Sequence, residues 1–159
     1  RIEHWIPQSN SEHGKELELE YKNMLGVCYG FIYKIKKHCE DNRGNNPLTI
    51  KPTDINLINQ IKYTKNGKIC SDNTEINYDL HNTLNLNIET LKRNRLSVWE
   101  GIEEVLNIKS KNKEWSIQLL EKQLKKLEEK DSEGKYKEYS GIGIYFLRKR
   151  LKSSFIDQI

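Results

Sequence analysis

A carboxylate and an imidazole stand side by side near the start of the chain, in Ile2-Glu3-His4-Trp5-Ile6-Pro7-Gln8-Ser9. Nineteen residues after His4, Asn23 opens the run Asn23-Met24-Leu25-Gly26-Val27-Cys28, and eleven after Cys28 comes Cys39-Glu40-Asp41-Asn42-Arg43-Gly44-Asn45. An imidazole, with an unperturbed pKa near ~6.5, suits proton abstraction from water at neutral pH. Carboxylate and amide oxygens suit a hard cation such as Mg²⁺, and thiolates suit zinc. Taken singly these are weak signals: a lone Glu-His pair is usually surface and an isolated Asn usually a turn residue. The ordered set is far more specific than any part.

The elements that must position these residues are short. Residues 1 to 50 carry Gly14, Gly26, Gly30, Gly44, Pro7 and Pro47, which break any long period and predict irregular or short-element structure. From Gln60 to Asp72, Asn66-Gly67 lies between two short runs, a hairpin signal in which both turn residues are expected at positive φ. Apolar residues then recur at helical spacing. Ile76 and Leu80 mark a helix over 75–84, and Leu91, Val98, Ile102, Val105 and Leu106 mark one over 88–108. Ile117, Leu120, Leu124 and Leu127, with dense Glu and Lys opposite, predict an amphipathic helix over 115–130. Ile142, Tyr145, Phe146 and Leu151 predict another over 141–155. These helices are expected to pack on each other and to leave a surface for another subunit.

The fold class is therefore α+β, with a first region at 1–72 containing the hairpin and a helical region at 73–159. With 35% hydrophobic and 31% charged residues over 159 positions, the core is thin and no run approaches the length of a membrane helix. A cytoplasmic protein with no membrane partner is the expectation. Cys28, Cys39 and Cys70 are too few and too unevenly placed for a secreted disulfide framework. Cys70, in a hairpin strand, is read as structural. The sequence opens at Arg1 without a methionine, so an upstream segment is expected. Phe31 to Cys70 carries eight Lys/Arg against three Asp/Glu, which suits a polyanion held through its phosphates as well as it suits an ordinary solvated face. Lys34, Lys36, Lys37 and Arg43 are the candidate phosphate contacts.

The three blocks resemble the HNH nuclease family, whose ββα-metal (His-Me finger) fold presents an acid-His pair on its first hairpin, an Asn in the following loop and a polar ligand on a short helix. IEHWIPQS looks like the first block, NMLGVC like the central Asn block and CEDNRGN like the block that opens the helix. More narrowly, HCEDNRGN together with LNLNIETLKRNR is similar to the HNH nuclease subunits of Septu and retron antiphage systems. That likeness reaches RKRL near the C-terminus and so covers most of the chain.

The resemblance implies a metal-dependent endonuclease acting on DNA or RNA. In it His4 is the general base, Glu3 a ligand to a catalytic Mg²⁺ or Mn²⁺, and Asn23 the brace of the loop, orienting His4 by a side-chain hydrogen bond. The third metal ligand is Glu40 or Asn42, with Glu40 favoured by its spacing from Cys39. The family usually has Asp at the position of Glu3 and His, Asn or Asp in the helix, so two glutamates here must place their oxygens from a longer stem. Cys28 and Cys39 resemble half of a structural zinc site that relatives complete with an upstream C-x-x-C pair. That pair is absent here, and help from His38 still leaves four-coordinate zinc incomplete, so zinc binding is expected to be weak unless an upstream segment supplies the pair. His13, His38 and His81 have no spacing that calls for catalysis, and Trp5 is read as packing rather than base stacking. A bacterial defence setting with a partner ATPase is implied as well. The rival reading is a catalytically silent nucleic-acid-binding or scaffold subunit.

Overall fold

A computed structural model describes residues 1–27, 37–110 and 114–156, with side chains through residue 153 at the C-terminal end. Cys28, Lys34 and Lys36 therefore lie outside the described residues. An antiparallel β-hairpin near the N-terminus is followed mainly by α-helices, in the α+β order expected from the sequence. The chain divides into two compact units, residues 1–62 with 69–89 and residues 63–68 with 90–159.

The first unit begins with strand β1 (Ile2–His4), which pairs with β2 (Met24–Gly26) in the register Ile2↔Gly26, Glu3↔Leu25 and His4↔Met24. Between the strands a compact loop folds on itself. The Asn10 side chain accepts from the amides of Glu12 and His13, and Gly14 sits so close to the carbonyl oxygens of Gln8 and Asn10 that a Cβ has no room there. A 3-10 turn, Tyr21–Asn23, leads into β2. Two short helices follow, α1 (Glu40–Arg43) and α2 (Ile55–Ile58), the latter capped by the Asp54 carboxylate accepting from Asn56 N and Leu57 N.

Strands β3 (Lys62–Tyr63) and β4 (Ile69–Cys70) form the hairpin expected around Asn66-Gly67, but with different turn chemistry. Gly67 (φ +77°) is at positive φ and Asn66 is not, while Gly67 N donates to Thr64 O at 3.0 Å and Thr64 N to Lys68 O at 2.9 Å. The loop is a turn followed by a left-handed glycine, which needs only one residue at positive φ.

Helix α3 (Thr74–Tyr78), capped by Asn73, runs into a single π turn at Asp79–Thr83. The buried Asp79 carboxylate accepts from Thr49 N at 2.6 Å and Ile50 N at 3.1 Å, which fastens the 49–50 backbone over this turn. Among the described residues, Ile50, Ile69, Ile76, Leu80 and Ile88 are the buried apolar side chains of this unit.

The second unit consists mainly of α4 (Glu89–Lys109), α5 (Ile117–Glu128) and α6 (Ser140–Ile156), close to the ranges that the apolar spacing predicts. Its core joins Trp99, Ile102, Leu106, Leu120, Leu127, Ile142, Leu147 and Leu151. Gly143 allows the close approach: a Cβ there would lie 2.5 Å from Ile102 Cδ1 and 2.7 Å from Leu127 Cδ1. Arg95 is also buried in this unit and donates to Gly67 O at 2.7 Å, a use of a cation that the apolar pattern of α4 does not foreshadow. Among the described residues no helix is long and apolar enough to cross a membrane.

The Ser116 hydroxyl caps α5 by accepting from Leu119 N at 3.2 Å. Ser116→Ala is expected to lower stability by about 1 kcal/mol, with Ser116→Asp retaining most of the cap. Denaturant midpoints of the three proteins, at unchanged slope, check this.

Candidate functional site

Pairing of β1 with β2 brings Asn23, far along the chain, beside the end of the strand that carries Glu3 and His4. The ladder continues past the strands on both sides, Trp5 N donating to Asn23 O at 2.8 Å and Val27 N to Arg1 O at 2.9 Å. Asn23 is 5% exposed, and its whole amide is used. Its Oδ1 accepts from Ile6 N at 2.8 Å, and its Nδ2 donates to Ile6 O at 3.0 Å and Leu17 O at 3.2 Å. Asn23 thus braces the loop as expected, but it bonds backbone and not the His4 ring.

The His4 ring is instead held by the backbone of that loop, its Nε2 lying 2.8 Å from Glu18 O. A carbonyl oxygen only accepts, so Nε2 carries the proton and donates, and in the neutral ring Nδ1 keeps its lone pair. His4 is half-buried, and the loop that orients it is the one Asn23 braces. No side-chain motif signals this contact, because the partner is a main-chain oxygen.

Helix α1 is placed against the end of β1 by Arg43. This side chain, considered above as a phosphate contact, is 2% exposed and spends its guanidinium on the protein. Nη1 donates to His4 O at 2.8 Å, Nη2 to Trp5 O, and Nε to Asn46 O at 2.9 Å, while Nη1 also lies 3.4 Å from Glu40 Oε2. Arg43 is a clamp in this structure. Asn42, the alternative third ligand, turns to the π turn and donates to Asn82 O at 2.8 Å and Thr83 O at 3.0 Å. Lys37 is exposed, in keeping with a surface cation. Trp5 donates from its indole to Ile50 O at 3.1 Å and lies under the Lys51 ammonium, which fits anchoring more than base stacking.

Three carboxylates gather around this end of the unit. Burial raises the Glu40 carboxyl above the usual range; the Arg43 charge opposes that shift and the Glu3 charge adds to it. Arg1 Nε lies 2.5 Å from Glu3 Oε1, and its Nη1 lies 3.1 Å from Asp41 Oδ1. No motif assigns a role to Arg1 or Asp41 in the sequence. The adjacency of Asp41 to Glu40 was visible in the sequence, but that Arg1 would bridge Asp41 to Glu3 was not.

Glu3 and Glu40 offer hard oxygen donors; burial is the main cause of the Glu40 shift, and the Glu3 charge adds to it. Among the described residues no group of three or more His, Cys, Asp or Glu side chains is arranged to hold a metal. Two carboxylates are sufficient for Mg²⁺, which commonly keeps several waters and takes further oxygens from phosphate. The zinc half-site is different. His38 Nδ1 lies 3.2 Å from Cys39 Sγ, and burial lowers the His38 pKa, which favours the neutral ring that a metal requires. With Cys28 outside the described residues, these two donors fall short of a tetrahedral set.

A cavity of about 540 Å³ opens elsewhere in this unit, lined by Asn42, Asn46, Thr49, Tyr78, Asp79 and Asn82 among others. It includes neither Glu3 nor His4. No protein-family model, curated protein or solved structure matches this chain.

Proposed function

We propose that this chain is a metal-dependent endonuclease of the HNH kind, hydrolysing phosphodiester bonds of a nucleic acid, with its first unit as a ββα-metal module. The observation that carries the reading is the contact that orients His4: Glu18 O lies 2.8 Å from Nε2 and accepts its proton, which leaves Nδ1 of the neutral ring with its lone pair, able to act as a base. In this role Nδ1 accepts a proton from the attacking water, and the developing imidazolium keeps its bond to the Glu18 carbonyl. Asn23 and Arg43 hold the two backbone segments that fix the ring, so little reorganisation accompanies proton transfer. Glu3 and Glu40 would hold Mg²⁺ or Mn²⁺, which when bound stabilises negative charge on the phosphoryl group and the leaving oxygen. Exposed cations, Lys37 among the described ones, supply nonspecific phosphate attraction.

The likeness to Septu and retron nuclease subunits extends the proposal to an antiphage role with a partner ATPase, and to zinc held by Cys28 and Cys39 with a cysteine pair from an upstream segment. A silent scaffold is the outcome to be tested against.

Cleavage of labelled DNA and RNA is expected to require Mg²⁺ or Mn²⁺, to stop on chelation and to resume on metal addition. Glu3→Ala is expected to lose cleavage and to recover part of it in excess Mn²⁺, because the defect lies in metal affinity. A gel time course over a metal titration reads both. Cleavage that persists undiminished in chelator, or in Glu3→Ala at low metal, would count against the proposal.

A further inference from the structure

We infer that Arg1 is a resident counter-cation of the Glu3 carboxylate, one that a divalent ion must displace, so that loading of the metal and release of this guanidinium are a single event. The inference rests on the functional reading above. Two guanidiniums neutralise the three acids at this end of the unit, and their surroundings differ. Arg43 is 2% exposed and anchored by three backbone carbonyls, so it cannot leave without opening the unit. Arg1 has 38% of its side chain exposed, and among the described residues its side-chain partners are carboxylates, Glu3 and Asp41. Its main chain is held in the ladder by Val27 N, so the side chain can swing while its Cα stays in place.

Competition follows from the shared oxygen. Arg1 Nε donates to Glu3 Oε1, and a metal on that carboxylate sets a double positive charge within a few ångströms of the guanidinium. Like charges at that separation repel, so occupancy of one weakens the other. A guanidinium stays charged throughout the pH range in which the protein is folded, so deprotonation offers no escape. Swinging outward into water is the available route. The bridge then sets the metal concentration at which the site fills, since the ion must supply the free energy of breaking it.

The test is direct Mn²⁺ binding, read by electron paramagnetic resonance of the free ion, on the unmodified protein, Arg1→Gln, Arg1→Lys and Glu3→Gln without nucleic acid. Arg1→Gln is expected to bind Mn²⁺ about 2- to 10-fold more tightly, the range for losing a partly exposed competitor that bridges two carboxylates. Arg1→Lys, which keeps the charge without the planar fork, is expected to fall between. Unchanged or weaker binding in Arg1→Gln, with the thermal midpoint preserved, would overturn the inference while leaving the nuclease reading intact. Mn²⁺ binding absent from the unmodified protein, or unaltered in Glu3→Gln, would instead remove the metal site itself.

Discussion

His4→Ala is expected to reduce nucleic-acid cleavage by on the order of 10²- to 10⁴-fold, the usual cost of losing a general base, while substrate binding stays nearly unchanged. The separation follows from where the ring lies. Among the described residues His4 makes one side-chain hydrogen bond, to Glu18 O, and the backbone pairing of β1 with β2 is independent of the imidazole. Removing the ring frees one carbonyl of a loop that Asn23 still braces through Ile6 and Leu17. Excess Mn²⁺, which is expected to restore part of Glu3→Ala activity, is not expected to restore His4→Ala, because the missing step is proton removal and not metal retention. His4→Gln keeps an amide donor for Glu18 O without a basic nitrogen, and is expected to be as inactive as the alanine variant at full stability. A cleavage time course with a parallel binding titration on both variants decides the matter. Full activity in either would eliminate the mechanism.

The second large effect concerns folding. Arg43→Met is expected to destabilise the first unit by about 3–5 kcal/mol, the range for breaking a buried ion pair and leaving its partner behind. The guanidinium is 2% exposed; its loss leaves the carbonyls of His4, Trp5 and Asn46 without these donors and the mostly buried Glu40 without its counter-charge. Methionine fills similar volume, so the cost measures polar groups more than a cavity. Arg43→Lys is expected to recover little, because one ammonium cannot reach three carbonyls in the directions that the planar fork serves. Amide hydrogen exchange is the discriminating measurement. Protection is expected to fall for β1, β2 and α1, and to persist in the core of α4, α5 and α6, which belong to the other compact unit. A loss below about 1 kcal/mol would mean that water replaces the clamp at little cost.

The two parts of the chain were unequally legible in its sequence. Helices α4, α5 and α6 follow from spacing alone: Ile102, Leu106, Leu120, Leu127 and Ile142 recur so that one side of each helix is apolar, and that side became the core. Trp99 and Leu147, which extend the same faces, entered the core without being singled out. The hairpin at Asn66-Gly67 was equally local, although its turn form depended on which residue takes positive φ. In the first unit the sequence supplied residue types and their order, an acid beside a histidine with an asparagine and an acidic helix start beyond.

Tertiary structure alone decided what those residues touch, for a physical reason. The partners there are main-chain atoms and distant charges, which leave no period or composition to read. Glu18 contributes its carbonyl and not its carboxylate, so nothing about its identity announced that it would orient His4. Arg43 looked like a surface cation because charge is legible and burial is not; three inward-facing carbonyls at the end of β1 and after α1 made burial the better use of its fork. Spacing favoured Glu40 over Asn42, but both were suitable oxygen donors by type; once α1 was placed, the carbonyls of Asn82 and Thr83 took the Asn42 amide, while Glu40 lay within reach of the Glu3 charge. A four-residue helix is too short to have a face of its own, and only the backbone packed around α1 gave it one.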